Sequence, residues 1–400
     1  MKLKARFFSE LMTALSLMMD LDENRKIYHA WRVALLAEKL STQILPEYRT
    51  QIFYAGLLHD IGAISLPDHV VHYTNIDDHI TNEVLAKHCE KSAEIIKKIG
   101  PLTLASNMVL DHHEHWDGKG YPRGLSGNNI SLGGQILRIC DTFDILTRIK
   151  PPLDLNGVKT ILKGRSGYEF SDLICELMIY TLEQDDYFEQ IRDDENIPTM
   201  VLKTIQELPP LDLGSCSNDY RGAVRIFAEV IDAKHSYTAG HSLRVANYTY
   251  KLAKALELPE KDVYRYETAA FLHDAGKVAV PKSILDKPGA LTNEEFKLMK
   301  RHPVYTVEIL SMVSELKDIA PIAGGHHERY DGRGYPDGIM GDNIPLGARI
   351  MAISDAFDAM TSLRPYQKTR TSSEAKEILL KNAGSQFDPE LVEVAVKVLP

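Results

Sequence analysis

Apolar side chains recur along this chain at the three- and four-residue spacing of helices, and strand-like alternation is nearly absent. The segments HSLRVANYTYKLAKAL, residues 241–256, and NEEFKLMKRHPVYTVEILSMV, residues 293–313, both show the helical spacing. In the second segment, Pro303 predicts a bend, because proline removes a backbone donor. The pattern predicts an all-α fold made of helical bundles.

The helical pattern occurs twice, which indicates an internal duplication. LLHDIGAISLP at 57–67 matches FLHDAGKVAVP at 271–281, and HHEHWDGKGYP at 112–122 matches HHERYDGRGYP at 326–336. Between the copies, acidic and Pro/Gly/Ser-containing stretches flank one short helical segment and indicate a linker. We therefore expect a degenerate first domain at 1–185, a linker at 186–222 and a second domain at 223–400.

Composition narrows the class of protein. The length of 400 residues suits two domains, and the net charge of −10 argues against binding of nucleic-acid polymers. The four cysteines show no CxxC spacing and suit reduced thiols. No apolar run approaches the ~20 residues of a membrane span, and the interrupted apolar opening suits an amphipathic helix better than a signal peptide. We expect a cytoplasmic protein.

Five histidines and two aspartates recur at matched positions in both copies. Taken singly, each histidine is more typical of a satisfied core or surface residue, but the joint recurrence favours metal binding. Imidazole and carboxylate ligands together suit Fe, Mn, Zn, Ni or Co. Seven groups exceed one tetrahedral site and fit two metals that share a bridging carboxylate. In the second copy the groups are His241, His273, Asp274, His302, His326, His327 and Asp355; in the first they are His29, His59, Asp60, His88, His112, His113 and Asp141.

A glycine-rich loop follows the paired histidines of the second copy. Gly332 and Gly334 permit backbone conformations with positive φ, and Pro336 stiffens the segment after them. We expect this loop to cover a bound ligand, with Tyr335 at its tip.

HDAGK followed by HHERYDGRGYP resembles the HD-GYP family, a branch of the HD phosphohydrolases. The resemblance covers residues 225–400 well, including GARIMAISDAFDAMTSLRPY and GSQFDPELV, and residues 22–180 more weakly. It implies an all-helical domain with two or three divalent metals, iron or manganese first and nickel, cobalt or zinc as alternatives. It also implies hydrolysis of cyclic di-GMP or 3′,3′-cyclic GMP-AMP to a linear dinucleotide, and signalling partners of the diguanylate-cyclase type.

The resemblance also assigns roles by position. Asp274 would bridge one metal held with His241, His273 and Asp355 and another held with His302, His326 and His327. Tyr237 stands where three-metal members have an acidic residue, which favours two metals. Lys277 would contact the scissile phosphate, so Asp274 and Lys277 are the candidate catalytic residues. The other candidate substrate-binding residues are Gly334, Tyr335, Pro336, Arg364 and Gln367, the last in place of a basic residue.

The first copy keeps the metal-ligand pattern but loses the residues implied to handle substrate. Ala63 replaces the lysine of the HDxGK motif, and a shortened segment leaves Lys150 where the second copy has Arg364. Loss of one fixed charge costs about 2.7–4 kcal/mol of transition-state stabilisation in comparable sites. We therefore expect the first copy to be slow or inactive, and to act as a regulatory partner or only as a packing platform. A homodimer is a further possibility.

Two other functions stay open at this point. One is an HD-type phosphohydrolase of other nucleotides, against which the intact GYP loop argues. The other is a non-catalytic cyclic-dinucleotide receptor, against which Lys277 and Arg364 argue.

Overall fold

The computed structural model describes residues 2–22, 25–65, 83–148, 151–211, 220–233, 240–362 and 369–400. The chain divides into two compact units, residues 1–218 and 219–400. The predicted all-α fold is confirmed. Within the described ranges, the only paired strands are two short antiparallel ones, Leu21–Asp22 and Arg25–Lys26. No helix in these ranges is long and apolar enough to cross a membrane.

The helices of the first unit bury many of their apolar side chains. Its opening helix is amphipathic, as predicted, and its side chains Leu11 and Leu15 are completely buried. The helices of this unit are Lys2–Met19 (α1), His29–Ile44 (α2), Arg49–Leu58 (α3), Glu83–Lys98 (α4), Thr103–Leu110 (α5), Leu132–Thr147 (α6), Leu155–Arg165 (α7), Asp172–Leu182 (α8), Tyr187–Arg192 (α9) and Ile197–Glu207 (α10).

The second unit has a similar order of helices, and part of its core forms around Phe357, Leu379 and Val392. These side chains are completely buried and come from three different helices. The helices of this unit are Tyr220–Ala233 (α11), His241–Ala255 (α12), Glu260–Leu272 (α13), Lys282–Leu285 (α14), Asn293–Met299 (α15), His302–Ser311 (α16), Ala320–Gly324 (α17), Leu346–Thr361 (α18), Ser372–Lys381 (α19) and Pro389–Val398 (α20).

Local sequence signals explain several helix ends. Thr292 and Glu295 form a capping box at the start of α15, in which each side chain accepts from the backbone N–H of the other residue. Pro303 lies in the first turn of α16, where its missing N–H has no partner to lose. The expected bend at Pro303 is therefore a break between two separate helices.

The segment expected to be a linker, residues 186–222, is more ordered than its composition suggests. It contains α9 and α10, which belong to the first unit, and Phe188, Ile191 and Val201 are buried there. Glu189 and Asp193, near the buried Phe188 and Ile191 in sequence, are exposed, so the acidic residues here face solvent. Four residues discussed above lie outside the described residues: Lys150, Tyr237, Arg364 and Gln367.

Candidate metal centres

All seven histidines and aspartates singled out in the second copy come together in the second unit. His241 begins α12, His302 begins α16, and Asp355 lies within α18. The other four follow directly after helices, His273 and Asp274 after α13 and His326 and His327 after α17. Helix ends and one helix face therefore supply the whole group.

These side chains form two clusters that share Asp274. His241, His273 and Asp355 present ligand atoms within 4.8 Å of one another, and so do His302, His326 and His327. Oδ2 of Asp274 lies 3.7 Å from His241 Nε2 and 3.4 Å from His273 Nε2. Its Oδ1 lies 3.5 Å from His302 Nε2 and 3.9 Å from His326 Nε2. Each oxygen of Asp274 thus faces a different cluster.

The donor atoms fit divalent metals. His273, His302 and His326 donate Nδ1–H to backbone carbonyls three residues earlier, at 2.8, 2.8 and 2.6 Å. These bonds leave each Nε2 with a free lone pair, which is the tautomer of a metal-ligating histidine. Among the described residues, His273 Nε2 and Asp274 Oδ1 are buried without a hydrogen-bond partner. Orphaned polar atoms of this kind are costly unless an ion binds them.

Burial lowers the pKa of two imidazoles in one cluster of the second unit, whereas neighbouring carboxylates raise the pKa of His241 in the other. Burial, and then the neighbouring His327, lower the pKa of His302 to about 3. Burial also lowers the pKa of His327, to about 4. For His241, burial lowers the pKa, but its hydrogen bonds to Asp355 and Asp358 outweigh burial and raise it to about 9. Neutral imidazoles are the form that binds metal.

Asp358 and Arg244 support His241 from behind, and the sequence analysis missed both. Asp358 Oδ2 accepts from His241 Nδ1 at 2.7 Å, and Asp358 Oδ1 accepts from Arg244 Nε at 2.6 Å. This arrangement fixes the imidazole so that its Nε2 faces Asp274 and Asp355. A signal was present in the sequence, because both residues recur in the first copy, as Asp144 and Arg32.

Lys277 and the GYP loop border the second-unit clusters. Nζ of Lys277 lies 2.6 Å from Asp274 Oδ2, and its side chain is 23% exposed. The Tyr335 ring packs on His327, with ring centroids 4.8 Å apart, and is therefore held against a candidate ligand. Gly332 has φ of 75°, as predicted, whereas Gly334 is needed for space. A Cβ on Gly334 would lie 2.4 Å from the backbone nitrogen of Arg329.

The first unit brings together the seven equivalent residues around Asp60. His29, His59 and Asp141 present ligand atoms within 4.8 Å of one another. Oδ2 of Asp60 lies 3.4 Å from His29 Nε2 and 3.3 Å from His59 Nε2. Its Oδ1 lies 3.3 Å from His88 Nε2 and 3.6 Å from His112 Nε2, and has no hydrogen-bond partner among the described residues. The fit to divalent metal therefore extends to this unit.

The surroundings of the first-unit site differ from those of the second. Ala63, in the place of Lys277, is buried and uncharged. Arg138 is 3% exposed, donates from Nη1 to His113 Nδ1 at 2.8 Å, and pairs with Glu169. The second unit has Ala352 and Gln386 at the positions of Arg138 and Glu169. The Arg138–Glu169 ion pair therefore has no counterpart at the equivalent positions of the second unit.

Cys89 is a further group that the sequence analysis missed. It is completely buried next to His88, and Sγ lies 3.6 Å from His88 Nε2. Burial raises the pKa of its thiol, but the nearby His88 and His112 outweigh burial and lower it to about 6. The equivalent residue in the second unit is Pro303, so the copies gave no repeat to reveal it.

Fold and site together define a class: an all-α protein whose helix ends assemble His/Asp clusters suited to divalent metals. The sequence model described as "HD domain" matches residues 14–158 and 225–391. The chain belongs to the HD domain family, and the resemblance to its HD-GYP branch is confirmed.

Curated relatives and a solved structure agree with this assignment. The chain is 32% identical over 319 residues to the 3′3′-cGAMP-specific phosphodiesterase 3 of Vibrio cholerae serotype O1, which covers 79% of this chain and 68% of that protein. It is 43% identical over 172 residues to the cyclic di-GMP phosphodiesterase response regulator RpfG of Xanthomonas campestris pv. campestris, covering 42% of this chain and 46% of that protein. The crystal structure of a cyclic GMP-AMP-specific phosphodiesterase of V. cholerae, V-cGAP3, matches with a TM-score of 0.66 and 26% identity, covering 98% of both chains.

Proposed function

We propose that this protein is a metal-dependent phosphodiesterase that hydrolyses 3′,3′-cyclic dinucleotides to linear dinucleotides in its second unit. The observation that carries the proposal is the pair of clusters that share Asp274, with Lys277 beside them. The relatives named above act on 3′3′-cGAMP or cyclic di-GMP. The site residues that we assign as ligands are His241, His273, Asp274, His302, His326, His327 and Asp355.

Two divalent ions supply water activation at neutral pH and offset negative charge on phosphoryl oxygens. We assign iron or manganese because the resemblance to the HD-GYP family implies these metals, and the imidazole and carboxylate ligands of this site fit both. Asp274 presents one oxygen to each cluster and would be a ligand shared by the two ions. Asp358 holds the ring of His241 in the ligating orientation.

Lys277 is the residue of this chain that we assign to the reacting phosphate. Its ammonium stands at the edge of the clusters, and its only partial exposure strengthens its interaction with an anion. A fixed positive charge there stabilises the charge that develops on the phosphoryl oxygens as the ribose 3′-oxygen leaves. Arg364 is a further candidate for the same phosphate, although it lies outside the described residues.

An aromatic edge beside the GYP loop offers a surface for a nucleobase. Phe296 is 45% exposed, and its ring centroid lies 6.4 Å from that of Tyr335. Lys300 Nζ lies 4.7 Å from the Phe296 centroid and 5.3 Å from the Tyr335 centroid. Exposed aromatic faces beside a cation are suited to stacking against a purine whose phosphate reaches the metals.

Between the two dinucleotides, 3′,3′-cyclic GMP-AMP is the substrate we place first. The match to the relative named for 3′3′-cGAMP covers 79% of this chain, and the match to V-cGAP3 covers 98%. The match to the relative named for cyclic di-GMP covers 42%. The breadth of these matches supports the ranking.

Side-by-side hydrolysis tests the proposed function. Anaerobically purified protein, supplied with Mn²⁺ or Fe²⁺, is given cyclic di-GMP or 3′,3′-cyclic GMP-AMP, and the products are separated by chromatography. We expect linear dinucleotide from both, faster from 3′,3′-cyclic GMP-AMP. No cleavage of either by protein shown to contain metal would refute the enzyme and favour a receptor.

A further inference from the structure

The first unit contains a sulfur atom where the second unit has none. His88, Cys89, His112 and His113 present ligand atoms within 4.8 Å of one another, and all four residues are buried. Oδ1 of Asp60 points into the same group without a hydrogen-bond partner among the described residues. The cluster therefore combines imidazole, carboxylate and thiol donors around an unsatisfied buried oxygen.

Four of the six distances between donor atoms are close to the edge lengths of a metal tetrahedron for the set Asp60, His88, Cys89 and His112. With Zn–N of about 2.0–2.1 Å and Zn–S of about 2.3 Å, tetrahedral ligands lie about 3.3–3.4 Å apart for two nitrogens and about 3.6 Å for nitrogen and sulfur. The His88 and His112 Nε2 atoms are 3.3 Å apart, and Cys89 Sγ is 3.6 Å from His88 Nε2. Asp60 Oδ1 lies 3.3 and 3.6 Å from the same two nitrogens.

His113 is equivalent to His327, which belongs to the matching cluster of the second unit, but His113 has a hydrogen-bond partner outside that set of four. Its Nδ1 accepts from Arg138, whose other nitrogens reach Asp141 and Glu169. The Arg138 guanidinium therefore occupies the side of the first site that faces His113 and Asp141. The Asp141 side chain is 7% exposed there, whereas the equivalent Asp355 is 20% exposed. The first site is thus more enclosed, as structural metal sites are.

We propose that Asp60, His88, Cys89 and His112 form a structural zinc site in the first unit, with Cys89 binding as the thiolate. A thiolate ligand favours Zn²⁺ over the harder ions that we assign to the second unit. Binding releases the thiol proton to solvent as the S–Zn bond forms. The inference is independent of the proposed catalytic function, because it concerns metal held by the other unit.

Cobalt substitution tests this assignment without any activity measurement. The full-length His273→Ala/Asp274→Ala variant, which disables the second site, is stripped with a chelator and titrated with Co²⁺ and separately with Zn²⁺. We expect a near-ultraviolet charge-transfer band that only a Co²⁺–thiolate bond produces, with the intensity of one thiolate-bound Co²⁺ per chain, because the other metal-ligand clusters described above contain no thiol. Elemental analysis of the Zn²⁺-loaded protein counts the metal.

Two further variants in that background identify the sulfur. Cys89→Ser should lose the band and weaken metal binding at least about 10-fold, whereas Cys140→Ser, which changes another buried cysteine of the same unit, should keep both. Bound Co²⁺ without the band in the starting variant, or a band that survives Cys89→Ser, would overturn the proposal. The starting variant alone decides the question if Cys89→Ser fails to fold.

Discussion

The two units arrange the same ligand types around a shared aspartate, yet the groups beside those ligands differ in charge. The second unit places Lys277 against Asp274, and the first has Ala63 there and Cys89 beside His88. Burial lowers the pKa of His302 to about 3, whereas Cys89 and Asp60 outweigh burial and raise the pKa of the equivalent His88. The same ligand types thus have different charged and sulfur-containing neighbours in the two units.

The second site is also more accessible to solvent than the first. In the second unit, Tyr335 packs on His327 and leaves Lys277 and Asp355 partly exposed to an arriving substrate. In the first unit, the buried Arg138–Glu169 pair borders the matching side. Removing either partner would leave the other as an unpaired buried charge, so Arg138 and Glu169 depend on each other in this unit. The second site is thus the more exposed and has Lys277 beside it, whereas the first is more enclosed and contains a thiol.

The largest difference in turnover between the two units is expected when the ligands of each unit are removed separately. His273→Ala/Asp274→Ala should lower turnover of cyclic dinucleotide more than about 1,000-fold, because both clusters lose ligands. The matched variant, His59→Ala/Asp60→Ala, should leave most turnover intact. Steady-state rates with metal content measured in parallel check this. Equal loss in both variants would refute the division of labour between the units.

Lys277 carries the next largest expected effect. Lys277→Ala should lower kcat about 100- to 1,000-fold with metal still bound, because the fixed charge acts on the transition state. Lys277→Arg should recover part of the rate, and Lys282→Ala, on the following helix, serves as the control. Metal content of Lys277→Ala equal to that of the unmodified protein is required. A large rise in KM with unchanged kcat would place Lys277 in ground-state binding instead.

Replacement of Asp358 tests whether this residue contributes to metal affinity in the second unit. Asp358→Asn should weaken metal binding in the second unit about 10- to 100-fold, because His241 loses the acceptor that orients it. The counterpart in the first unit, Asp144→Asn, should leave turnover nearly unchanged. Activity titrated against Mn²⁺ separates the two, since the Asp358 variant should recover at high metal concentration. An unchanged metal dependence would contradict this positioning role.

The fold and the candidate ligands could be predicted from the sequence because the helical pattern and the His/Asp motifs occur twice in the chain. Repetition identified seven positions in each copy, six of them at an offset of 214 residues and the pair His29 and His241 at 212, and helix periodicity identified the fold. Asp358 and Arg244 repeat in the same way and could have been found by asking which other charged residues recur. Cys89 could not have been found in this way, because the second copy has Pro303 at the equivalent position. Arg138 and Glu169 are 31 positions apart, and only the packed fold brings them together.

The smallest effect is expected from replacing Phe296, which we propose stacks against a base of the substrate. Phe296→Ala should raise KM about 5-fold with little change in kcat, as expected for about 1 kcal/mol of stacking on a half-exposed ring. Leu298→Ala, an exposed apolar residue on the same helix, is the matched control. If Phe296 contacts only one of the two bases, its removal should change the preference between cyclic di-GMP and 3′,3′-cyclic GMP-AMP. An equal KM for both variants would show that the aromatic edge beside Tyr335 does not hold a base, and substrate choice would then have to arise closer to the metals.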